Sequence, residues 1–271
     1  MPELPEVETT RRGIAPHLQG QHITRVVIRE RRLRWPIRAD LPRLLRDQTV
    51  TAIHRRGKYL LLGLSEGTLI LHLGMSGSLR LVPAETPAQK HDHVDLVLGS
   101  GQCLRLRDPR RFGALLWTQA DPYRHQLLRG LGPEPWDAGF NSDYLYRRAH
   151  GRRQAIKTYI MDARTVAGVG NIYASEALFA AGIHPARAAG RIARPRLELL
   201  RDSIRRILEQ AVAAGGTTLR DFQDSEGRPG YFYRQLQVYG RAGQACTACG
   251  NEIARRIIGQ RASYYCKHCQ H

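Results

Sequence analysis

The residue types best suited to chemistry in this 271-residue chain stand at its start, in Met1-Pro2-Glu3-Leu4-Pro5-Glu6-Val7-Glu8. Removal of Met1, expected where proline follows, would leave Pro2 with a free secondary amine. An α-amino group titrates near pH ~8, so part of it is neutral at physiological pH. Such an amine can attack a sugar carbon and form an iminium adduct. Glu3 beside it can give or take a proton, and Glu6 is near enough in sequence to share the site. The same residues also read as an ordinary helix start, with Pro5 in the first turn and carboxylates at the positive end of the dipole. Taken alone, the eight residues leave both readings open.

A second constellation lies at the other end. Cys246-x2-Cys249, a gap of 16 residues and Cys266-x2-Cys269 have the spacing of a four-cysteine zinc ribbon. Four thiolates leave no open coordination position, so this metal, one Zn2+, is structural. Arg261 lies in the arm between the cysteine pairs, where it can be held out toward a polyanion. Cys103, the remaining cysteine, reads as a packing residue.

Weaker signals lie between. Lys58 follows Arg55-Arg56-Gly57 and precedes an apolar run, which suits either a solvated strand end or a phosphate contact. His91, His93 and Asp95 alternate and would share one strand face, a metal-like set; a polar loop touching phosphate is the simpler reading. Met75, Arg110 and Phe112 sit on glycine-flanked loops, as side chains that enter a base stack do, and as ordinary loop residues also do. Asn171 stands at or near the cap of a helix opened by Gly168-Val169-Gly170, a place where backbone amides can bind phosphate.

These residues need elements to position them. The apolar spacing of Val7, Ile14 and Leu18 predicts a helix over about 5–18. Strand-like runs follow at Ile23–Ile28, Val50–His54, Tyr59–Leu64, Thr68–Leu73, Val94–Leu98, Leu104–Leu106 and Ala114–Trp117, short and turn-separated as in an antiparallel sandwich. Past the proline-rich Gly132-Pro133-Glu134-Pro135 the period becomes helical, over Tyr144–His150, Ala155–Met161, Ile172–Ala181 and Arg194–Ala214, the last closed by Gly215-Gly216. Thr217–Phe222 reads as a short helix and Asp224–Gly230 as a linker. The class is α+β and two-lobed: an N-terminal helix and β-sandwich in 1–133, a helical domain in 134–225, and a linker with the cysteine ribbon in 226–271.

The net charge is +18, carried mainly by arginine in clusters such as Arg29-Glu30-Arg31-Arg32 and Arg152-Arg153, which points to nucleic acid. No apolar run approaches a membrane span and no secretory signal is visible, so the expectation is a soluble cytoplasmic protein.

Along its whole length the chain resembles bacterial formamidopyrimidine-DNA glycosylases. Met1-Pro-Glu-Leu-Pro-Glu-Val-Glu-Thr, His72-Leu-Gly-Met-Ser-Gly, Lys90-His-Asp-His-Val-Asp, Asp108-Pro-Arg-Arg-Phe-Gly, Val169-Gly-Asn-Ile-Tyr-Ala-Ser-Glu, Gly230-Tyr-Phe, Gln237-Val-Tyr-Gly and the four cysteines carry the resemblance, in that family's order. It implies a helix-two-turn-helix module in the helical region and damaged double-stranded DNA bound across a cleft by a monomer. It implies Pro2 as Schiff-base nucleophile, Glu3 as proton donor, Lys58 as phosphate grip and helper of β-elimination, and Arg261 as the phosphate-binding residue of δ-elimination. His91, Arg110, Arg152 and Asn171 would contact DNA; Met75, Arg110 and Phe112 would fill the gap left by a flipped nucleotide. The implied activity is excision of oxidised purines, 8-oxoguanine and formamidopyrimidines, with abasic-strand cleavage in base excision repair, which would associate the protein with the nucleoid. An endonuclease VIII-like enzyme acting on pyrimidine lesions and a noncatalytic DNA-binding zinc-ribbon protein are the alternatives. Leu4 disfavours the former, which usually has glycine there, and the intact Pro2-Glu3 start disfavours the latter.

Overall fold

A computed structural model describes residues 2–217 and 231–271. The chain forms two compact units, Met1–Arg129 with Ala214–Tyr233, and Gly130–Ala213 with Arg234–His271. The short helix expected beyond Thr217 and the linker before Tyr231 fall outside the described residues.

In the first unit, α1 (Leu4–Leu18) is followed by β1 (Ile23–Ile28), the short α2 (Leu41–Leu45), β2 (Val50–Arg56), β3 (Tyr59–Leu64), β4 (Gly67–His72), β5 (Ser78–Pro83), β6 (Asp92–Leu98), β7 (Gln102–Arg107) and β8 (Ala114–Thr118). The strands make two four-stranded antiparallel sheets, β1-β6-β7-β5 and β2-β3-β4-β8. In β3 and β4 the pairs Leu60 with Leu71 and Leu62 with Leu69 face inward, with Leu79, Leu96, Leu104 and Leu106 of the other sheet in the same core. Val7, Ile14 and Leu18 of α1 join that core, so the apolar stripe of the helix is what fixes the N-terminus to the sandwich. Leu61 and Ile70, on the opposite face, are buried too, which is why β3 reads as a continuous apolar run rather than an alternation.

Strand β5 and helix α2 escaped the sequence reading. Strand β5 follows directly on the Gly74-Met75-Ser76-Gly77 loop and ends at Pro83, so its alternation of Leu79 and Leu81 with Arg80 is short and bracketed by turn residues. Helix α2 has five residues, too few to show a period.

The second unit holds α3 (Ser142–Ala149), α4 (Ile156–Met161), α5 (Asn171–Ala180) and α6 (Arg194–Ala213), with β9 (Ile253–Ile258) and β10 (Arg261–Cys266) as a hairpin packed on α5. Leu197, Leu200, Ile204 and Leu208 of α6 are buried along one stripe, against α3 and α5. No helix among the described residues is long and apolar enough to cross a membrane.

Candidate functional site

Pro2 and Glu3 are buried, with Glu3 as the residue that starts α1. Polar connections fix that start. The Glu6 carboxylate accepts the Glu3 backbone N–H on one oxygen (2.7 Å) and the Thr217 backbone N–H on the other (2.8 Å). Thr217 in turn bridges Tyr231, so the carboxylate ties the first helical turn to the two points where the described chain flanks 218–230. Glu6 therefore sits beside Glu3, as its place in sequence suggested, and holds backbone there.

One turn on, Glu8 bonds Arg11, Arg12 and Arg55. Burial alone would raise its pKa; the guanidinium hydrogen bonds outweigh that and hold it at about 2. Arg55 also donates to the Gly57 carbonyl (3.0 Å), which pins the two-residue turn between β2 and β3. Gly57 occupies the first turn position with φ of 57°, a left-handed conformation suited to glycine in such hairpins, and Lys58 is the second. Burial, helped by the Lys58 cation and Arg34, pushes His72 down to about 4, so the imidazole is neutral. Its Nδ1 accepts the Gly74 N–H (3.0 Å), linking the lysine turn to the loop of Met75. His72 was not singled out by sequence, although the pairing of Tyr59 with His72 across the β3–β4 hairpin puts it next to Lys58.

Met75, Arg110 and Phe112 come together on adjoining loops: a Cβ added at Gly74 would lie 2.5 Å from the Phe112 carbonyl carbon. Arg110 is exposed, with its guanidinium 4.8 Å from the Phe112 ring centroid, and Phe112 is 42 % exposed. The suggested His91, His93 and Asp95 metal set does not form. Asp95 is held by Arg29 and Arg105, His93 Nε2 donates to the Asp108 carbonyl, and His91 precedes β6 with φ of 76°. Cys103 is fully buried and burial pushes its thiol up to about 12, as suits a packing residue.

In the second unit Asn171 is the first residue of α5, after Gly170, and its Nδ2 donates to the Ala262 carbonyl (3.1 Å) and to the Tyr239 hydroxyl (3.3 Å). Ala262 follows Arg261, which is exposed at the start of β10 beyond the Gly259-Gln260 turn. Both turn residues have positive φ, 55° and 61°, as a type I′ hairpin requires. Lys157, fully buried in α4, donates from Nζ to the Ala262 carbonyl (2.9 Å) and to Ser263 Oγ (2.7 Å). Glu176 of α5, also buried, accepts the backbone N–H groups of Gln237, Val238 and Tyr239; burial raises its pKa and those bonds oppose the rise. The structure thus brings Asn171 and the Arg261 hairpin together. Arg152 is exposed in the turn after α3, its carbonyl taking the Gly190 N–H.

The four sulfurs of Cys246, Cys249, Cys266 and Cys269 lie within 4.8 Å of one another, the one such metal-ligand group among the described residues. Tetrahedral thiolates about 2.3 Å from zinc would be about 3.8 Å apart. The Cys246–Cys269 and Cys249–Cys266 separations, 3.9 and 3.5 Å, fit one structural zinc.

A helix-led sandwich, a helical module and a four-thiolate hairpin define a three-module class, and each module matches a family model. These are described as the formamidopyrimidine-DNA glycosylase N-terminal domain over residues 1–115, its H2TH domain over 131–223, and the zinc finger found in FPG and IleRS over 243–271. The chain belongs to the formamidopyrimidine-DNA glycosylase family. It is 58 % identical over 271 residues to the protein of that name from Nitrosococcus oceani and 60 % identical over 270 residues to that from Stutzerimonas stutzeri, with all of each chain covered. Among solved structures it is similar to a variant Lactococcus lactis FPG in complex with Fapy-dG-containing DNA (TM-score 0.93, 34 % identity, 99 % of each chain). It is likewise similar to the Thermus thermophilus FPG protein (TM-score 0.89, 38 % identity, 99 % of this chain and 98 % of that one).

Proposed function

We propose that this protein is a DNA glycosylase and abasic-site lyase of base excision repair, acting on oxidised purines, 8-oxoguanine and formamidopyrimidines, in duplex DNA. The observation that carries the reading is the start of α1, where Pro2 and Glu3 are buried side by side and the Glu6 carboxylate clamps the backbone beneath them. An amine held in place needs no ordering when a sugar arrives.

With Met1 removed, the Pro2 nitrogen attacks the sugar C1′ as the bond to the damaged base breaks, and the departing base takes up the equivalent of the proton that the nitrogen sheds on forming the new bond. Glu3 supplies the proton that opens the ring, leaving an iminium between Pro2 and C1′. The iminium acidifies the C2′ hydrogens. Loss of one expels the 3′ phosphate, the β step; a second elimination expels the 5′ phosphate, the δ step, and hydrolysis of the remaining fragment frees the amine. Lys58 and Arg261, both cationic at loop turns, serve the phosphates in the β and δ steps, with His91, Arg110, Arg152 and Asn171 as further DNA contacts. Met75, Arg110 and Phe112 enter the stack where the base leaves. The charge of +18 supplies affinity for the backbone without sequence preference. Zinc holds the ribbon in shape and takes no part in these steps. A DNA-bound enzyme of this kind works at the nucleoid.

Borohydride reduction on a duplex bearing 8-oxoguanine opposite cytosine tests the reading: a covalent adduct at Pro2 is expected, and its absence would overturn the enzymatic assignment. A Lactococcus lactis relative has been solved with an oxidised-pyrimidine DNA, so the second arm is a competition with thymine glycol opposite adenine. Faster release of the pyrimidine would overturn the purine preference. A product keeping an unsaturated 3′ sugar fragment would overturn the δ step and the role of Arg261.

A further inference from the structure

We propose that Asp108 is a positioning residue that locks the loops of His91, Met75 and Arg110–Phe112 into one rigid wedge. The inference rests on the proposed function, since a wedge matters only to an enzyme that opens a base stack. Asp108 follows β7 and is fully buried. Its backbone N–H donates to the His91 carbonyl (3.0 Å), and its own carbonyl accepts from the Arg111 N–H (3.1 Å) and from His93 Nε2 (2.9 Å). Its carboxylate accepts the Ser76 hydroxyl on Oδ1 (3.3 Å) and the Gly113 N–H on Oδ2 (2.7 Å). One residue thus engages three loops that are distant in sequence.

Two further observations make this more than ordinary packing. Among the described residues no ion pair reaches the Asp108 carboxylate, so its burial is offset by a hydroxyl and an amide alone. Burying a charge in that way is costly, and an apolar residue would serve a plain core better. Moreover, His91 and Arg111, whose backbones bond the backbone of Asp108, have φ of 76° and 56°. Side-chain-bearing residues seldom adopt that conformation unless their surroundings over-determine it. The exposed ends of the same loops carry Arg110 and Phe112, stacked on each other. A side chain that parts stacked bases has to resist their closing, so a loop free to yield would be ineffective.

The test compares the parent with Asp108→Ala, Asp108→Asn and Ser76→Ala on two duplexes, one with 8-oxoguanine opposite cytosine and one with a preformed abasic site. The fluorescence of 2-aminopurine beside the lesion reports stack opening. Asparagine can still accept the Gly113 N–H and can donate to Ser76 Oγ, so Asp108→Asn should stay near the parent. Asp108→Ala should lose about tenfold or more in lesion excision, with a matching loss of the fluorescence rise, and about twofold or less in borohydride trapping on the abasic site, where little unstacking remains to be done. Ser76→Ala, which frees only the Met75 loop, should fall between, and it carries the test should Asp108→Ala fail to fold. Equal losses on both duplexes, an asparagine variant as impaired as the alanine one, or variants that open the stack as the parent does would each overturn the role of Asp108. A parent that forms no adduct on either duplex would instead overturn the proposed function, and the fluorescence comparison would still decide whether Asp108 stiffens the wedge.

Discussion

Replacing Glu6 with glutamine changes one atom and should loosen the base of the candidate active site. The carboxylate presents two oxygens to two backbone N–H groups, those of Glu3 at 2.7 Å and Thr217 at 2.8 Å, and is 2 % exposed. Glutamine keeps one oxygen and turns an NH2 toward the other amide, so one charge-assisted bond is lost and two donors face each other. A hydrogen bond to a charged group contributes ~1.5–3 kcal/mol, and stranding a buried donor costs a similar amount. A local destabilisation of about 2 kcal/mol corresponds to roughly thirtyfold faster exchange of the affected amide, provided it exchanges by local opening. Hydrogen exchange resolved to Glu3 and Thr217 is the assay. Glu6→Gln should accelerate one of the two amides and Glu6→Ala both, with adduct formation at Pro2 falling in the same order. If neither amide exchanges more than about threefold faster in Glu6→Gln, the clamp is not what holds the helix start.

Three other outcomes follow from the geometry. The Glu8 pKa of about 2 lies below the ordinary 4.5, so the stability it confers is complete above pH 4.5 and is lost as pH falls toward 2. Lowering from 4.5 to about 2 corresponds to at most ~3.4 kcal/mol, and about 2 after allowing for the solvent-facing Arg12; acid unfolding followed by circular dichroism should show that window flattened in Glu8→Gln, and an unchanged acid limb would contradict it. Lys157→Met should leave the Ala262 carbonyl with only the Asn171 Nδ2 as side-chain donor among the described residues and deprive Ser263 Oγ of its lysine donor, at a cost of ~1.5–3 kcal/mol, seen as faster exchange along β10 and weaker DNA binding, whereas unaltered exchange there would show that the lysine does not hold the hairpin. Metal analysis should find one zinc per chain, removal of which abolishes DNA binding; active protein without zinc would contradict the structural role.

The sequence made the framework legible where a period or a fixed spacing exists. The stripe of Val7, Ile14 and Leu18, the buried runs of β3 and β4 and the broad face of α6 each repeat an apolar residue at the interval of the element they form. The cysteine spacing needs no partner from elsewhere to be read, and the four sulfurs do converge. Strand β5 was missed because its neighbours on both sides are turn residues, and α2 because five residues carry no period. The His91, His93 and Asp95 set failed for another reason: alternation assigns residues to a face only within a strand, and β6 begins after His91.

The residues that hold the site were harder to read than those offered as its chemistry. Glu6, Asp108, Lys157 and Glu176 each bond backbone groups, and a backbone N–H or carbonyl leaves no signature in the residue type that bears it. Thr217, the second partner of Glu6, and Ala262, a partner of Lys157, lie 211 and 105 residues away, so no local pattern could name them. What the sequence did offer was a contradiction of period. Lys157 falls among Ile156, Tyr159 and Ile160 on the buried face of α4, and Glu176 is the one charged residue of α5. A charge on an apolar face has to find a partner or be expelled, since leaving it unpaired in the interior costs more than a fold of this size can spare. Such positions therefore mark buried anchors by residue type and spacing alone. In this chain Lys157 supports the hairpin of Arg261 and Glu176 supports Asn171 through Tyr239; neither was singled out in the sequence, and a charge that breaks the apolar period is the signal by which such supports of the proposed DNA contacts can be found.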